Sequence, residues 1–194
     1  MNAKDLERAL EVKYLHYQQG WALLREVSVA DPIVHQAYAD LKEIPWRNHD
    51  ISNPDYKRLR DITLGSAYLR RIDVLLMRTS TIAVAKVPYE RIAVEIKVSR
   101  ADFFRDTPEK RNVWHSLAHR FAYLTPAGLI KREELPNGCG LLELIEGHSA
   151  PDWKVRAPRR TGEPDQFTDK FVSYLARRAS DAEAELRRQK VATP

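Results

Sequence analysis

The sequence is poor in cysteine: Cys139 is the single cysteine among 194 residues. One cysteine cannot form an internal disulfide and cannot build a cysteine-based zinc site, which fits a protein of a reducing compartment. We therefore expect Cys139 to be a small apolar residue beside a turn.

Long apolar runs are also absent. No stretch approaches the roughly 18 to 20 apolar residues that are needed to span a bilayer. Four of the first eight residues are charged, and no apolar core of a signal peptide follows them. These absences exclude a membrane-spanning helix as the basis of function, and we expect a cytoplasmic protein with no membrane partner.

A glycine-rich phosphate loop of the Gly-x-x-x-x-Gly-Lys type is missing, which argues against a nucleotide hydrolase. Internal repeats and low-complexity tracts are missing as well. The sequence is 43% hydrophobic and 30% charged, a balance that is typical of a globular chain. We predict one domain over residues 1–194, with an insertion at about 30–70 and an added helix at about 167–190.

The charge balance permits, but does not require, a nucleic-acid partner. Lysine and arginine number 32 against 27 acidic residues, which gives a formal net charge of +5. Many proteins that do not bind nucleic acid carry a similar excess. The basic residues become informative only where they lie close to a catalytic centre.

Hydrophobic periodicity predicts alternating helices and strands. A helix is expected over residues 3–19, a strand over 21–29, and two strands over 71–77 and 91–98 that flank a loop-like stretch at 78–90. Beyond them we expect a helix from Ser99, with a restart at Pro108, to about 119, and strands over 121–125, 140–145 and, at an edge, 153–157. This order predicts a hairpin of two core strands, then a crossover helix and a parallel strand. We predict an α/β fold with a central mixed sheet flanked by helices.

Three ionisable residues interrupt the two apolar core strands: Asp73 on the first, and Glu95 and Lys97 on the second. Charged residues are almost never fully buried without a partner, so each requires an explanation. Side chains alternate along a strand, so Glu95 and Lys97 project from one face, and the hairpin neighbour can bring Asp73 beside them. Two carboxylates at a strand end suit Mg²⁺ or Mn²⁺, and such an ion with a nearby lysine can promote phosphodiester hydrolysis.

A purely structural interpretation stays open for the same residues. Glu95 and Lys97 can form a salt bridge on one face of the strand, while Asp73 pairs with Arg71 or Arg120. His115 and His119, one helical turn apart, can indicate a metal pair. With no third ligand within sequence reach, packing or surface roles are favoured for them.

The order of these residues resembles the PD-(D/E)XK nuclease superfamily, and more closely the MmcB-type DNA repair proteins. The matching positions are Arg70–Asp73, Val94–Phe103, Asp106, Lys110, Arg120–Tyr123, Leu135–Pro136, Gly140–Leu142 and Gly147. The resemblance implies a restriction-endonuclease-like fold and a metal-dependent DNA nuclease, expected to be an endonuclease, in DNA repair or phage DNA processing. The insertion and the C-terminal helix have no counterpart in it, which leaves the substrate open.

The resemblance also implies roles for individual residues. Asp73, Glu95 and the backbone carbonyl of Ile96 would bind Mg²⁺ or Mn²⁺, and Lys97 would assist the attacking water. An additional acidic residue is expected from Glu26, with Glu7 and Glu11 as competitors. Glu11 and Asp102 could support the site from behind these ligands, although Asp102 also fits a helix-capping role.

Basic residues around the mouth of the site are candidates for DNA contacts: Arg70, Arg71, Arg100, Lys110 and Arg111. Asp106 is expected to be a surface acid unless its helix crosses the mouth. DNA is the expected partner, and the prediction allows a homodimer and a DNA repair or recombination partner protein. The alternative function is a catalytically inactive DNA-binding or assembly module that keeps the nuclease fold.

Overall fold

A mixed β-sheet organises the first of two units into which the chain divides, Met1–Pro164 and Asp165–Pro194. The structure is a computed structural model that describes residues 1–17, 20–65, 69–79 and 89–192. In these ranges the sheet has six strands: β1 (Trp21–Ala30), β2 (Leu69–Arg78), β3 (Arg91–Ile96), β4 (Arg120–Pro126), β5 (Cys139–Leu144) and β6 (Asp152–Val155). They lie side by side in sequence order. The pairs β3–β4 and β4–β5 are parallel and the other neighbours are antiparallel, so the predicted mixed sheet is confirmed.

Helices precede, interrupt and follow the strands. They are α1 (Ala3–Glu11), α2 (Pro32–Glu43), α3 (Pro54–Gly65), α4 (Arg100–Phe104), α5 (Pro108–Leu117) and α6 (Asp169–Ala192). A π-helical segment, Val12–Tyr17, continues α1, and short 3₁₀ helices span Trp46–Asn48 and Arg132–Glu134. Helix α6 belongs to the second unit. No helix in the described ranges is long and apolar enough to cross a membrane.

The helix ends follow local sequence signals. The side chain of Asn2 caps α1 by accepting a hydrogen bond from the backbone N–H of Asp5, and Ser99 caps α4 in the same way for Asp102. Proline occupies the first turn of α2 and of α5, where its missing N–H costs nothing. Pro108 therefore begins a second helix, as predicted, instead of extending α4.

The two faces of the sheet have different partners because side chains alternate along each strand. On one face, Val74 and Val94 belong to a buried cluster with Leu6 and Leu10 of α1. On the other face, the Tyr123 ring of β4 contacts Phe103 of α4, with 4.9 Å between the ring centroids. Helices α4 and α5 therefore cover the face from which Glu95, the register partner of Tyr123, projects.

Most predicted elements are confirmed with small shifts in their bounds. Strands β2 and β3 form the antiparallel hairpin, and β3 is followed by helices and then by the parallel strand β4. The predicted helix over 3–19 changes to π-helical geometry after Glu11, and its residues 18–19 lie outside the described ranges. Residues 80–88 of the predicted loop also lie outside the described ranges. The predicted insertion contains α2 and α3, and its residues 66–68 are not described. That residues 1–194 form one domain stays a prediction.

Asp31 anchors the start of the segment between β1 and β2. Its Oδ1 accepts hydrogen bonds from the backbone N–H groups of Ile33 and Val34, at 3.0 and 3.4 Å. Its Oδ2 accepts one from Nε of Arg70 at 2.7 Å, and Asp31 is only 4% exposed. One carboxylate therefore caps α2 and neutralises the arginine at the beginning of β2.

Replacing Asp31 with alanine should lower the free energy of unfolding by about 2–4 kcal/mol, since it removes a helix cap and a buried ion-pair partner together. Asp31→Asn keeps an oxygen that can cap the helix, so its loss should be smaller. Urea denaturation of both variants measures the difference. A loss below about 1 kcal/mol for Asp31→Ala, the size of an ordinary cap alone, would contradict this account.

Candidate active site

Asp73 and Glu95 occupy neighbouring positions where the β2–β3 hairpin opens. Regular pairing of the two strands reaches Val74 opposite Val94. One residue further along, Oδ2 of Asp73 accepts a hydrogen bond from the backbone N–H of Ile96 at 2.7 Å. The Asp73 side chain thus takes the place of a backbone acceptor and is fixed beside the residue that follows Glu95.

The Glu95 carboxylate is buried, with the residue 3% exposed. Its Oε1 accepts hydrogen bonds from Nζ of Lys97 at 3.0 Å and from Nζ of Lys110. Its Oε2 is buried and has no hydrogen-bond partner among the described residues. Buried carboxylate oxygens are rarely left without a partner, so this oxygen is one that a cation could bind.

Burial raises the pKa of Glu95, and repulsion from Asp73 raises it further. Lys110 and Lys97 act in the opposite direction without cancelling this rise. The charge of Asp73 is therefore close enough to affect the pKa of Glu95. A pair of carboxylates in this arrangement is stabilised by any additional positive charge placed between them.

Lys97 lies on the same face as Glu95 and is 5% exposed. Besides Glu95, its Nζ lies 3.7 Å from Oδ2 of Asp102 and 3.7 Å from Oδ1 of Asp106. Burial would lower the pKa of Lys97, but attraction to Glu95, Asp106 and Asp102 outweighs it, so the pKa is raised. Lys97 is therefore a fixed ammonium group surrounded by carboxylates.

Asp106 lies between α4 and α5 in the sequence, and its side chain helps to fix the position of Lys97. Its side chain is buried; Oδ2 accepts a hydrogen bond from the Tyr123 hydroxyl at 2.6 Å and is 3.1 Å from Nη1 of Arg111. Burial, together with Asp106, raises the pKa of Tyr123, so the hydroxyl stays protonated and donates. The expectation of a surface acid, which was conditional on where the helix lies, does not hold. In the sequence, the signal for this buried role was the position of Asp106, two residues before the proline that begins α5.

The predicted DNA-contacting residues fall into two groups. Lys110 and Arg111, on the first turns of α5, contact Glu95 and Asp106 and so lie at the site. The other three pair elsewhere: Arg70 with Asp31, Arg71 with Glu26 at 3.8 Å, and Arg100 with Glu134. Of these three, Arg71 has the most exposed side chain.

Among the described residues, the predicted additional acids make no hydrogen bond or ion pair with the three central residues. Glu26 lies in line with Asp73 on the adjacent strand, but its φ of +47° turns it outward and its side chain is 72% exposed. Glu7 and Glu11 both pair with Arg25, on the face that α1 covers. Among the described residues, no hydrogen bond or ion pair joins Glu26 or Glu11 to Asp73, Glu95 or Lys97. Oδ2 of Asp102 lies 3.7 Å from Nζ of Lys97, and its supporting role stays a prediction.

The purely structural interpretation of Asp73, Glu95 and Lys97 predicted two ion pairs, and the described part of the structure contains one of them. The Glu95–Lys97 salt bridge is present. The proposed partners of Asp73 are engaged elsewhere, because Arg71 pairs with Glu26 and Arg120 pairs with Glu90 at 2.6 Å. Neither Arg71 nor Arg120 therefore neutralises Asp73, which lies beside Glu95.

The donor set fits a small divalent cation that prefers oxygen. Asp73 and Glu95 supply carboxylates, and Oε2 of Glu95 lacks a hydrogen-bond partner among the described residues. A contribution from the backbone carbonyl of Ile96 stays a prediction. Within the described ranges, no cluster of three or more histidine, cysteine or acidic side chains is arranged to hold a metal. His119 accepts a hydrogen bond from the backbone N–H of Arg91, in agreement with a packing role.

Comparison with known proteins identifies a similar fold. No family model and no curated protein matches the chain. The solved structure of the SPO1766 protein of unknown function from Silicibacter pomeroyi is similar, with a TM-score of 0.50 and 16% sequence identity. The match covers 98% of this chain and 94% of that chain. At this identity the likeness shows the fold alone, an α/β fold whose mixed sheet and flanking helices are consistent with a restriction-endonuclease-like architecture.

Proposed function

We propose that the chain is a divalent-metal-dependent DNA nuclease of the PD-(D/E)XK kind, which hydrolyses phosphodiester bonds in DNA repair or phage DNA processing. One observation carries the proposal: Asp73 and Glu95 lie on adjacent strands beside a buried ammonium group, and one Glu95 oxygen has no partner among the described residues. A cation could bind this oxygen, and Mg²⁺ or Mn²⁺ fits carboxylate ligands of this kind.

Some residues of the site would bind the ion, and Lys97 would position the attacking water. Asp73, Glu95 and the Ile96 carbonyl would hold the ion, which when bound polarises the scissile phosphate and activates water. Lys97 would orient the attacking water and stabilise the charge that develops on the phosphate. Its contacts with Asp102 and Asp106 keep it charged and fix its position.

The surroundings of this site support DNA as the substrate. Lys110 and Arg111 place two more cationic groups next to the carboxylates, at the start of α5. Such groups bind phosphates without reading sequence, so they position a backbone rather than specify a base. A cytoplasmic location is part of the same proposal.

Purified protein should cleave DNA with Mg²⁺ or Mn²⁺ and lose this activity in EDTA. Single-stranded, duplex and branched DNA are to be tested in parallel, beside Lys97→Ala and a control, Lys154→Ala, which removes a lysine that pairs with Glu143 at 2.9 Å. We expect Lys97→Ala to lose cleavage and Lys154→Ala to keep it. Cleavage that persists in EDTA, or equally in both variants, would refute the assigned site.

A catalytically inactive DNA-binding module is the second candidate. It is favoured by the two lysines that already neutralise Oε1 of Glu95. In that case the assay would show DNA binding that weakens steeply with salt, with no cleavage under any metal.

A further inference from the structure

The two lysines on Oε1 of Glu95 have different surroundings. Lys97 is buried and has two further carboxylates, Asp102 and Asp106, at 3.7 Å. Lys110 has a side chain that is 27% exposed, and in the described part of the chain it has no ion pair except the one with Glu95. Lys97 therefore keeps acidic partners if Glu95 is taken by another cation, whereas Lys110 keeps none.

A divalent cation bound between Asp73 and Glu95 would face both ammonium groups. Like charges a few ångströms apart repel strongly in a partly buried site. Lys97 can shift its hydrogen bonding toward Asp102 and Asp106, but Lys110 can relieve the repulsion only by leaving toward solvent. This movement costs little free energy, because the lysine side chain is long and flexible and lies on the first turn of α5.

We propose that Lys110 competes with the divalent cation for Glu95 and, when displaced, binds a DNA phosphate, so that metal and DNA strengthen each other's binding. This inference rests on the proposed nuclease function and adds a regulatory role to the same site. DNA would supply the anion that Lys110 loses when Glu95 binds metal. By thermodynamic linkage, metal must then increase DNA affinity by the same factor as DNA increases metal affinity.

The test measures Mn²⁺ binding to the free protein by isothermal titration calorimetry. The proteins compared are the natural protein, Lys110→Gln and the control Lys154→Gln, whose lysine also pairs with a glutamate Oε1. All calorimetric titrations are run at one alkaline pH, because proton competition for Glu95 falls as the pH rises and removal of Lys110 takes away an attraction that lowers the pKa of Glu95. We expect Lys110→Gln to bind Mn²⁺ roughly tenfold more tightly and Lys154→Gln to bind it as the natural protein does.

A second measurement follows labelled duplex DNA by fluorescence anisotropy, with Ca²⁺ or with EDTA. Ca²⁺ should tighten DNA binding by the natural protein, and this gain should shrink in Lys110→Gln. Equal or weaker Mn²⁺ affinity in Lys110→Gln overturns the competition while leaving the nuclease proposal in place. If neither the natural protein nor Lys110→Gln binds Mn²⁺, the metal site and the competition fail together.

Discussion

Asp73→Asn is expected to lower DNA cleavage by at least about 100-fold, with a comparable loss of Mn²⁺ affinity, while thermal stability hardly changes. The substitution is nearly isosteric. The asparagine oxygen can accept the hydrogen bond that the Ile96 N–H donates to Asp73 at 2.7 Å. The fold therefore keeps this hydrogen bond, and the candidate metal site loses one of its two carboxylate ligands.

Asp152→Asn provides the matched control. Asp152 pairs with Lys13 at 3.2 Å, and its side chain is 80% exposed, so the same change of chemistry occurs far from the carboxylate pair. Calorimetry of Mn²⁺ binding, a cleavage assay and thermal melting are run on both variants. Cleavage by Asp73→Asn at the rate of Asp152→Asn would show that Asp73 does not bind the metal.

Lys97→Met is expected to abolish cleavage and also to lower the free energy of unfolding by about 2–4 kcal/mol. Methionine fills a similar volume but leaves the surrounding carboxylates with less positive charge. Glu95 retains Lys110, and Asp106 retains Arg111 and Tyr123, so the loss should stay at the lower end of that for breaking a buried ion pair. Urea denaturation measures the change.

A double-mutant cycle separates charge from packing in this prediction. Combining Lys97→Met with Glu95→Gln removes a negative charge along with the positive one, so stability should recover in part. Strictly additive losses in the double variant would mean that the charge of Glu95 does not contribute to the stabilisation that Lys97 provides. The cleavage assay does not affect this conclusion, because both single variants are expected to be inactive.

The core of the candidate site could be predicted because it depends on short-range geometry. Residues two apart on a strand share a face, so Glu95 and Lys97 had to project together once the strand was recognised. Strands that follow one another in the sequence usually lie side by side, which brought Asp73 alongside. The proline that starts α5 and the serine that caps α4 were equally local signals.

Other features depend on contacts that cross the fold. Asp106 became a buried partner of Lys97 because α4 and α5 cover that face of the sheet. Lys110 reaches Glu95 from a different element, and Arg70 is held by Asp31, 39 positions earlier in the sequence. Glu26 has the expected position on β1, but its positive φ directs it outward.

The sequence by itself determined the mixed sheet, the placement of Asp73 and Glu95 on its strands and that of Lys97 directly after β3, because periodicity and capping act over a few residues. The tertiary structure alone decided which charges on different elements neutralise one another, since such ion pairs depend on distances that no local pattern contains. It left one oxygen of Glu95 without a partner in the described ranges and gave the other oxygen two lysines.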